Sequence, residues 1–167
     1  VMGSGMVMPS IGIYSYELYK FYDIDNIVRI GSCGSYTDEL HLYDVVLVDS
    51  AWSESSFANT QGNLNIDTTY PSPTLNKKIT EVATELNIPI TIGKIHSSDV
   101  FYRQDFMEYI KIRDEHGCLA VEMESFALFH NAKVLGKNAA CILTVSDNLV
   151  TKQVTSAEER QNAFTKM

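Results

Sequence analysis

The chain has 167 residues, 45% apolar and 20% charged, and a formal net charge of −8. That length makes one domain and buries a core without disulfides or metals, and the composition argues against a disordered chain. The acidic balance, with Lys77-Lys78 as the clustered cationic pair, argues against nucleic acid and anionic membrane as partners, because both demand a basic surface.

The elements follow in chain order. Val1 to Met8 reads as the end of a mid-sheet strand running into a Gly-rich turn. Pro9 then opens a helix that carries Ile13, Tyr16, Leu18 and Tyr19 at helical spacing up to Phe21. Asn26 to Ile30 is a short strand, broken by the turn Gly31-Ser32-Cys33-Gly34, and Val45 to Val48 is another strand. Ser53 to Pro73 is polar and irregular, an excursion of the kind that serves as a lid or interface loop.

Thr74 to Leu86 is an amphipathic helix through Leu75, Ile79, Val82 and Leu86. Ile90 to Ile95 is a strand, and Gln104 to His116 a helix stopped by Gly117. Leu119 to Val121 leads into a helix from about Glu124 to Leu135. Ala139 to Val145 is a further strand. Ser156 with Glu159 three residues on forms a capping-box pattern opening a last helix. Strands alternating with helices predict an α/β fold in a single domain. The abrupt ends suggest a cut-down chain.

Cys33, Cys118 and Cys141 are odd in number and form no C-x-x-C pair, which argues against a disulfide framework or structural zinc and fits a reducing cytoplasm. The longest apolar runs are too short to cross a bilayer, and no secretory signal opens the chain. His41, His96, His116 and His130 have no metal-ligand spacing, and no G-x-S-x-G elbow is present.

Three constellations remain, each with two readings open. Arg29, just before a Gly-rich turn, and Ser32 within it suit a free phosphate, though the turn lacks P-loop spacing; the alternative is a tight turn with a surface ion pair. Glu122 and Glu124, with Met123 between them, sit where a strand meets a helix. There a carboxylate takes the hydroxyls of a sugar, or merely favours the helix dipole. Asp147, after Ser146, is either a general acid raised by burial or a turn residue. Arg160 is either part of that site or a surface ion-pair residue. Phe101 and Met6 either pack on a flat heterocycle or belong to the core.

Together, V-M-G-S-G-M-V-M-P-S-I-G-I-Y, R-I-G-S-C-G, S-S-D-V-F-Y, V-E-M-E-S, T-V-S-D and E-E-R-Q-N-A-F resemble the bacterial, DeoD-type purine nucleoside phosphorylases in order and spacing. The likeness runs over nearly the whole chain and is weakest from Ser53 to Pro73. It implies a three-layer fold with a mixed, twisted central sheet flanked by helices, and phosphorolysis of purine nucleosides to free base and (deoxy)ribose 1-phosphate.

The resemblance also assigns residues. Arg29 and Ser32 match phosphate ligands. Glu124, Met123 and Met6 match the ribose side. Phe101 and Ser146, with Glu122, fall on the base side. Asp147 matches the acid that protonates purine N7, and Arg160 the arginine that assists it. Inorganic phosphate is then a co-substrate, with no metal or organic cofactor, and the family's assembly is a homohexamer, a trimer of dimers.

The chain departs from the family pattern in three places. It lacks the family's N-terminal segment, with its Gly-Asp-Pro-x-Arg loop and the histidine and arginine that enter a neighbouring subunit's site. Its last helix stops at Met167. Asn148 stands where the family usually has histidine, a change expected to alter hydrogen bonding at the base site. If 167 residues are the whole polypeptide, weak or no turnover is expected, so a non-catalytic nucleoside-binding chain is the leading alternative. A purine nucleosidase is disfavoured by Arg29 beside Ser32, and a uridine phosphorylase by the Ser146-Asp147 pair.

Overall fold

A computed structural model of the chain describes residues 1–156, 158 and 159. Helix α1 (Val7–Phe21) buries Met8, Ile11, Ser15 and Tyr19, the spacing of one helical face. Strands β1 (Asn26–Ser35) and β2 (Val45–Trp52) follow, then the short helix α2 (Phe57–Gly62) and strand β3 (Thr68–Thr69). Helix α3 (Pro73–Glu85) begins as its sequence dictates: Pro73 occupies the first turn, and the Ser72 hydroxyl accepts the Leu75 N–H.

Strand β4 (Thr91–Ser97), helix α4 (Glu108–His116), strand β5 (Ala120–Glu122), helix α5 (Ser125–Val134), strand β6 (Asn138–Asn148) and strand β7 (Gln153–Val154) complete the described elements. Gly117 ends α4 at φ 71°. Among the described residues no helix is long and apolar enough to cross a membrane.

The sheet is mixed, in the order β3-β2-β4-β5-β1-β6-β7, and β2 also pairs with β6. That extra pairing closes β2, β4, β5, β1 and β6 into a ring, with β1 parallel to β6 and antiparallel to β5. Helix α5 is buried from Ser125 to Ala132, packed on β6, β2 and β3 with α1 and α2 outside it. This explains its apolar run: a helix covered on every side needs no polar stripe. The core joins Met8, Ile11 and Tyr19 of α1 to Phe126, Leu128 and Phe129 of α5 and to Val46, Val48, Leu143 and Val145 of the sheet. A smaller cluster of Tyr36, Tyr109, Ile112 and Cys118 holds α4.

Four expectations are corrected. Residues 1–5 form no strand. Gly31-Ser32-Cys33-Gly34 is not a turn: β1 continues through it because β6 pairs with it in parallel from Asn26 to Ser35, with a register shift at Cys33/Gly34. The excursion from Ser53 contains α2 and β3, and β3 is anchored antiparallel on Ala51 and Trp52. Helix α4 starts at Glu108 rather than Gln104. The capping box is present: the Glu159 N–H donates to Ser156 Oγ at 3.2 Å, and the Ser156 N–H donates to Glu159 Oε2 at 2.7 Å.

Candidate active site

Arg29 rises from the middle of β1, and its side chain is only 9% exposed. Its guanidinium donates to Glu124 Oε2, lies 3.5 Å from Glu122 Oε2, and reaches the Cys141 Sγ at 3.7 Å. Burial acts to lower its pKa, but Glu122, Cys141 and Glu124 together outweigh burial and hold the cation above its ordinary value. Its Nε is buried and has no hydrogen-bond partner among the described residues, an exception of the kind that calls for a physical reason.

The guanidinium folds back over its own strand. A Cβ on Gly31 would lie 2.2 Å from Arg29 Nη1, so the bare glycine backbone leaves the room through which the side chain crosses in this position. Ser32, the next residue, is exposed.

The carboxylates come from the junction of β5 and α5. Glu122 accepts the backbone N–H groups of Glu124 and Ser125, at 3.0 Å each, and so caps α5. Burial pushes its carboxyl up, against the pull of Arg29. Glu124 has Oε2 on Arg29 and on the Met123 N–H, the latter at 3.2 Å, while Oε1 accepts the Val7 N–H at 2.8 Å. Val7 adopts φ 62°, a conformation that β-branched residues avoid. Met6, just before it, is 78% exposed, and Met123 is half-buried.

Ser146 and Asp147 lie across β1 from this cluster. The Ser146 hydroxyl is buried and donates to Asp147 Oδ1 at 2.7 Å. Asp147 pairs in register with Gly34, where a Cβ would stand 2.7 Å from Asp147 Oδ2. Asn148 is fully employed elsewhere. Its Nδ2 donates to the Thr37 and Leu40 carbonyls, both at 2.8 Å, and its Oδ1 accepts the Val150 and Thr151 N–H groups, both at 2.9 Å. These bonds pin the β6–β7 turn to the loop after β1.

Phe101 stands apart in the segment between β4 and α4, 74% exposed, its ring edge-on to Tyr102 at 4.9 Å. Arg160 lies outside the described residues. The structure thus joins Arg29, Glu122, Glu124 and the Met6-Val7 backbone in one cluster, sets Ser146 and Asp147 beside it on β6, and leaves Phe101 at the edge. Among the described residues no group of three or more His, Cys, Asp or Glu could hold a metal ion. A groove of about 730 Å³ between α1 and α2 has Val7 and Asp99 among its lining residues.

Sequence reasoning missed the Val7 N–H and the Cys141 thiol. A backbone donor leaves no signal in residue type. Cys141 was accessible through pairing alone, since parallel alignment of the two strands sets it opposite Arg29.

The family model of the phosphorylase superfamily matches residues 1–167. A DeoD-type purine nucleoside phosphorylase of Mycoplasma pneumoniae is 44% identical over 169 residues, covering 100% of this chain and 71% of that protein. The DeoD-type protein of Brevibacillus brevis is 42% identical over 171 residues, with the same coverage of 100% and 71%. Among solved structures, the 5'-methylthioadenosine/S-adenosyl homocysteine nucleosidase of Campylobacter jejuni superposes with a TM-score of 0.86 at 21% identity, over 98% of this chain and 73% of that one. At that identity the likeness is one of fold.

Proposed function

The chain belongs to the phosphorylase superfamily and, within it, to the DeoD-type purine nucleoside phosphorylases, and from that premise we propose how its residues divide the phosphorolysis of a purine nucleoside. Arg29 and Ser32 hold phosphate. Glu124 takes the ribose hydroxyls, with Met123 and Met6 packed beside the sugar. Phe101 covers the purine, with Ser146 and Glu122 on the base side, and Asp147 faces N7.

In the reaction the bond from C1′ to the purine nitrogen breaks as the sugar gains oxocarbenium character. A phosphate oxygen then attacks C1′. The electron pair of the broken bond leaves with the purine, and a proton from Asp147 neutralises it at N7. The products are free base and (deoxy)ribose 1-phosphate. Charge is compensated at both ends of one bond, so phosphate is the co-substrate and the proposal assigns no metal or organic cofactor a part. Arg160, eight residues beyond Lys152, is assigned to assist Asp147. A homohexamer built from dimers, and a cytoplasmic location in keeping with three free, buried cysteines, complete the proposal.

One observation carries it. Arg29 is a buried cation whose Nε–H is unpaired among the described residues, on the strand that presents Ser32 and within reach of the carboxylate that would hold the sugar. A buried, unpaired donor on a guanidinium is suited to an anion. The test is purine release from inosine and adenosine, with and without phosphate, and in Asp147→Asn. Release that needs phosphate and Asp147 supports the assignment; release without phosphate indicates a hydrolase.

A further inference from the structure

Away from Arg29, the structure holds a second ionic network, built on one buried histidine. His96, at the end of β4, has a fully buried side chain. Its Nδ1 meets the Tyr36 hydroxyl at 2.9 Å, and its Nε2 meets Glu54 Oε2 at 2.7 Å. Arg103 closes the network. Its Nη2 donates to Glu54 Oε1 and, at 3.1 Å, to Ser98 Oγ, while Nη1 donates to Glu108 Oε2 at 2.8 Å. Burial acts to raise the Glu54 carboxyl, but the hydrogen bond and charge of His96 and the charge of Arg103 outweigh it and hold it at about 2. Trp52 borders the network, its ring centroid 5.2 Å from that of His96.

The network sits at the root of the segment that carries Phe101. Residues 99–104 have no helix or strand, and Phe101 and Tyr102 are 74% and 88% exposed. Ser98 opens the segment, and its N–H donates to the Glu122 carbonyl at 2.8 Å, at the edge of the candidate site. Arg103 returns to Ser98 Oγ, so both ends of the loop meet and Phe101 stands at its tip. Among the described residues, Arg103 is the side chain of 99–104 that bonds to the body of the protein beyond the loop. An exposed loop with no backbone bonds of its own to the body is mobile unless tethered, and a guanidinium with partners on three sides is a strong tether.

We propose that Arg103, braced by Glu54 and the buried His96, is a positioning residue that holds the loop 98–103 closed and so sets Phe101 over the purine. This rests on the assignment of Phe101 to the base. Arg103 itself touches no substrate; it acts through Phe101.

The experiment is calorimetric titration of the full chain with inosine and, separately, with inorganic phosphate, for wild type, Phe101→Ala, Arg103→Met, Arg103→Lys and the Phe101/Arg103 double variant. Loss of one aromatic contact to the base corresponds to roughly a fivefold weakening. Arg103→Met is expected to weaken inosine binding by about that factor, with phosphate binding unchanged. Arg103→Lys, which reaches fewer partners, should fall between. The double variant should bind like Phe101→Ala alone, because removing the ring leaves Arg103 nothing to position. Trp52 fluorescence, which borders the network, should change in Arg103→Met and stay unchanged in Phe101→Ala.

Inosine binding unaltered in Arg103→Met, or effects of the two substitutions that multiply, overturns the proposal. An unaltered Phe101→Ala overturns it through the assignment of Phe101. A wild-type chain that binds no inosine overturns the proposed division of roles in the site, and this proposal with it.

Discussion

Arg29 and Glu124, 95 residues apart in the chain, meet in a direct ion pair inside the candidate site. The same two groups are proposed to hold phosphate and sugar. Each substrate would therefore meet a side chain already engaged with the other's ligand. Removing the cation leaves Glu122 and Glu124 uncompensated, and both are buried. Breaking a buried pair from one side typically costs about 3–5 kcal/mol. Arg29→Ala is expected to lose that much in denaturant unfolding, whereas Arg29→Lys keeps most stability but loses the two-pronged grip on phosphate, visible as a raised KM for phosphate.

Gly31→Ala separates the position of the guanidinium from its charge. The new Cβ meets only the far end of the Arg29 side chain, which can swing away. Because the displaced guanidinium leaves Glu122 and Glu124 less well compensated, the variant should lose part of the roughly 3–5 kcal/mol expected for Arg29→Ala. Its affinity for phosphate should fall severalfold. Phosphate titration beside a thermal melt checks both; an unchanged phosphate affinity would detach Arg29 from the anion.

Val7 carries left-handed backbone where its N–H reaches Glu124. That conformation costs an L-residue roughly 1–2 kcal/mol, while glycine adopts it freely at an entropic cost of roughly 0.5–1 kcal/mol. Val7→Gly should therefore stabilise the chain, by about 0.5 kcal/mol and a melting temperature higher by about 1–2 °C. A lower melting temperature would mean that Val7's own packing outweighs the strain.

The network at His96 gives a signed pH dependence. The folded Glu54 carboxyl lies at about 2, below its ordinary 4.5. Its contribution to stability is complete above 4.5 and drains away as pH falls toward 2. Glu54→Gln should be less stable than wild type at neutral pH, with the difference closing across that window. Unfolding at several acidic pH values measures it, and a constant difference would contradict it.

Much of this fold was legible as periodicity and punctuation. Gly117 after His116 marked a helix end, and the Ser156-Glu159 pair marked a capping box whose two hydrogen bonds are present, while Ser72 and Pro73, read as the end of the irregular excursion, in fact start α3. The glycines after Ile30 misled, because local sequence cannot show that β6 pairs beside them and keeps them extended, or that Arg29 needs the space over Gly31. Strand β7 was missed for a similar reason: its two residues pair only because the turn at Asn148 brings them back onto β6.

In the site, strand-to-helix junctions pointed to Glu122, Glu124 and Asp147, all of which line the region around β1. Glu54, His96 and Arg103 were invisible as a set. They come from three separate segments, and only the parallel pairing of β2 with β4 brings two of those segments side by side.

The most direct measurement is purine release from inosine and adenosine by the 167-residue chain, with and without phosphate, in wild type and Asp147→Asn. The proposed division of labour predicts release that requires phosphate, yields the sugar 1-phosphate, and falls by at least about 100-fold without the acid, as for loss of a general acid. Release indifferent to phosphate, or undiminished in Asp147→Asn, would contradict it.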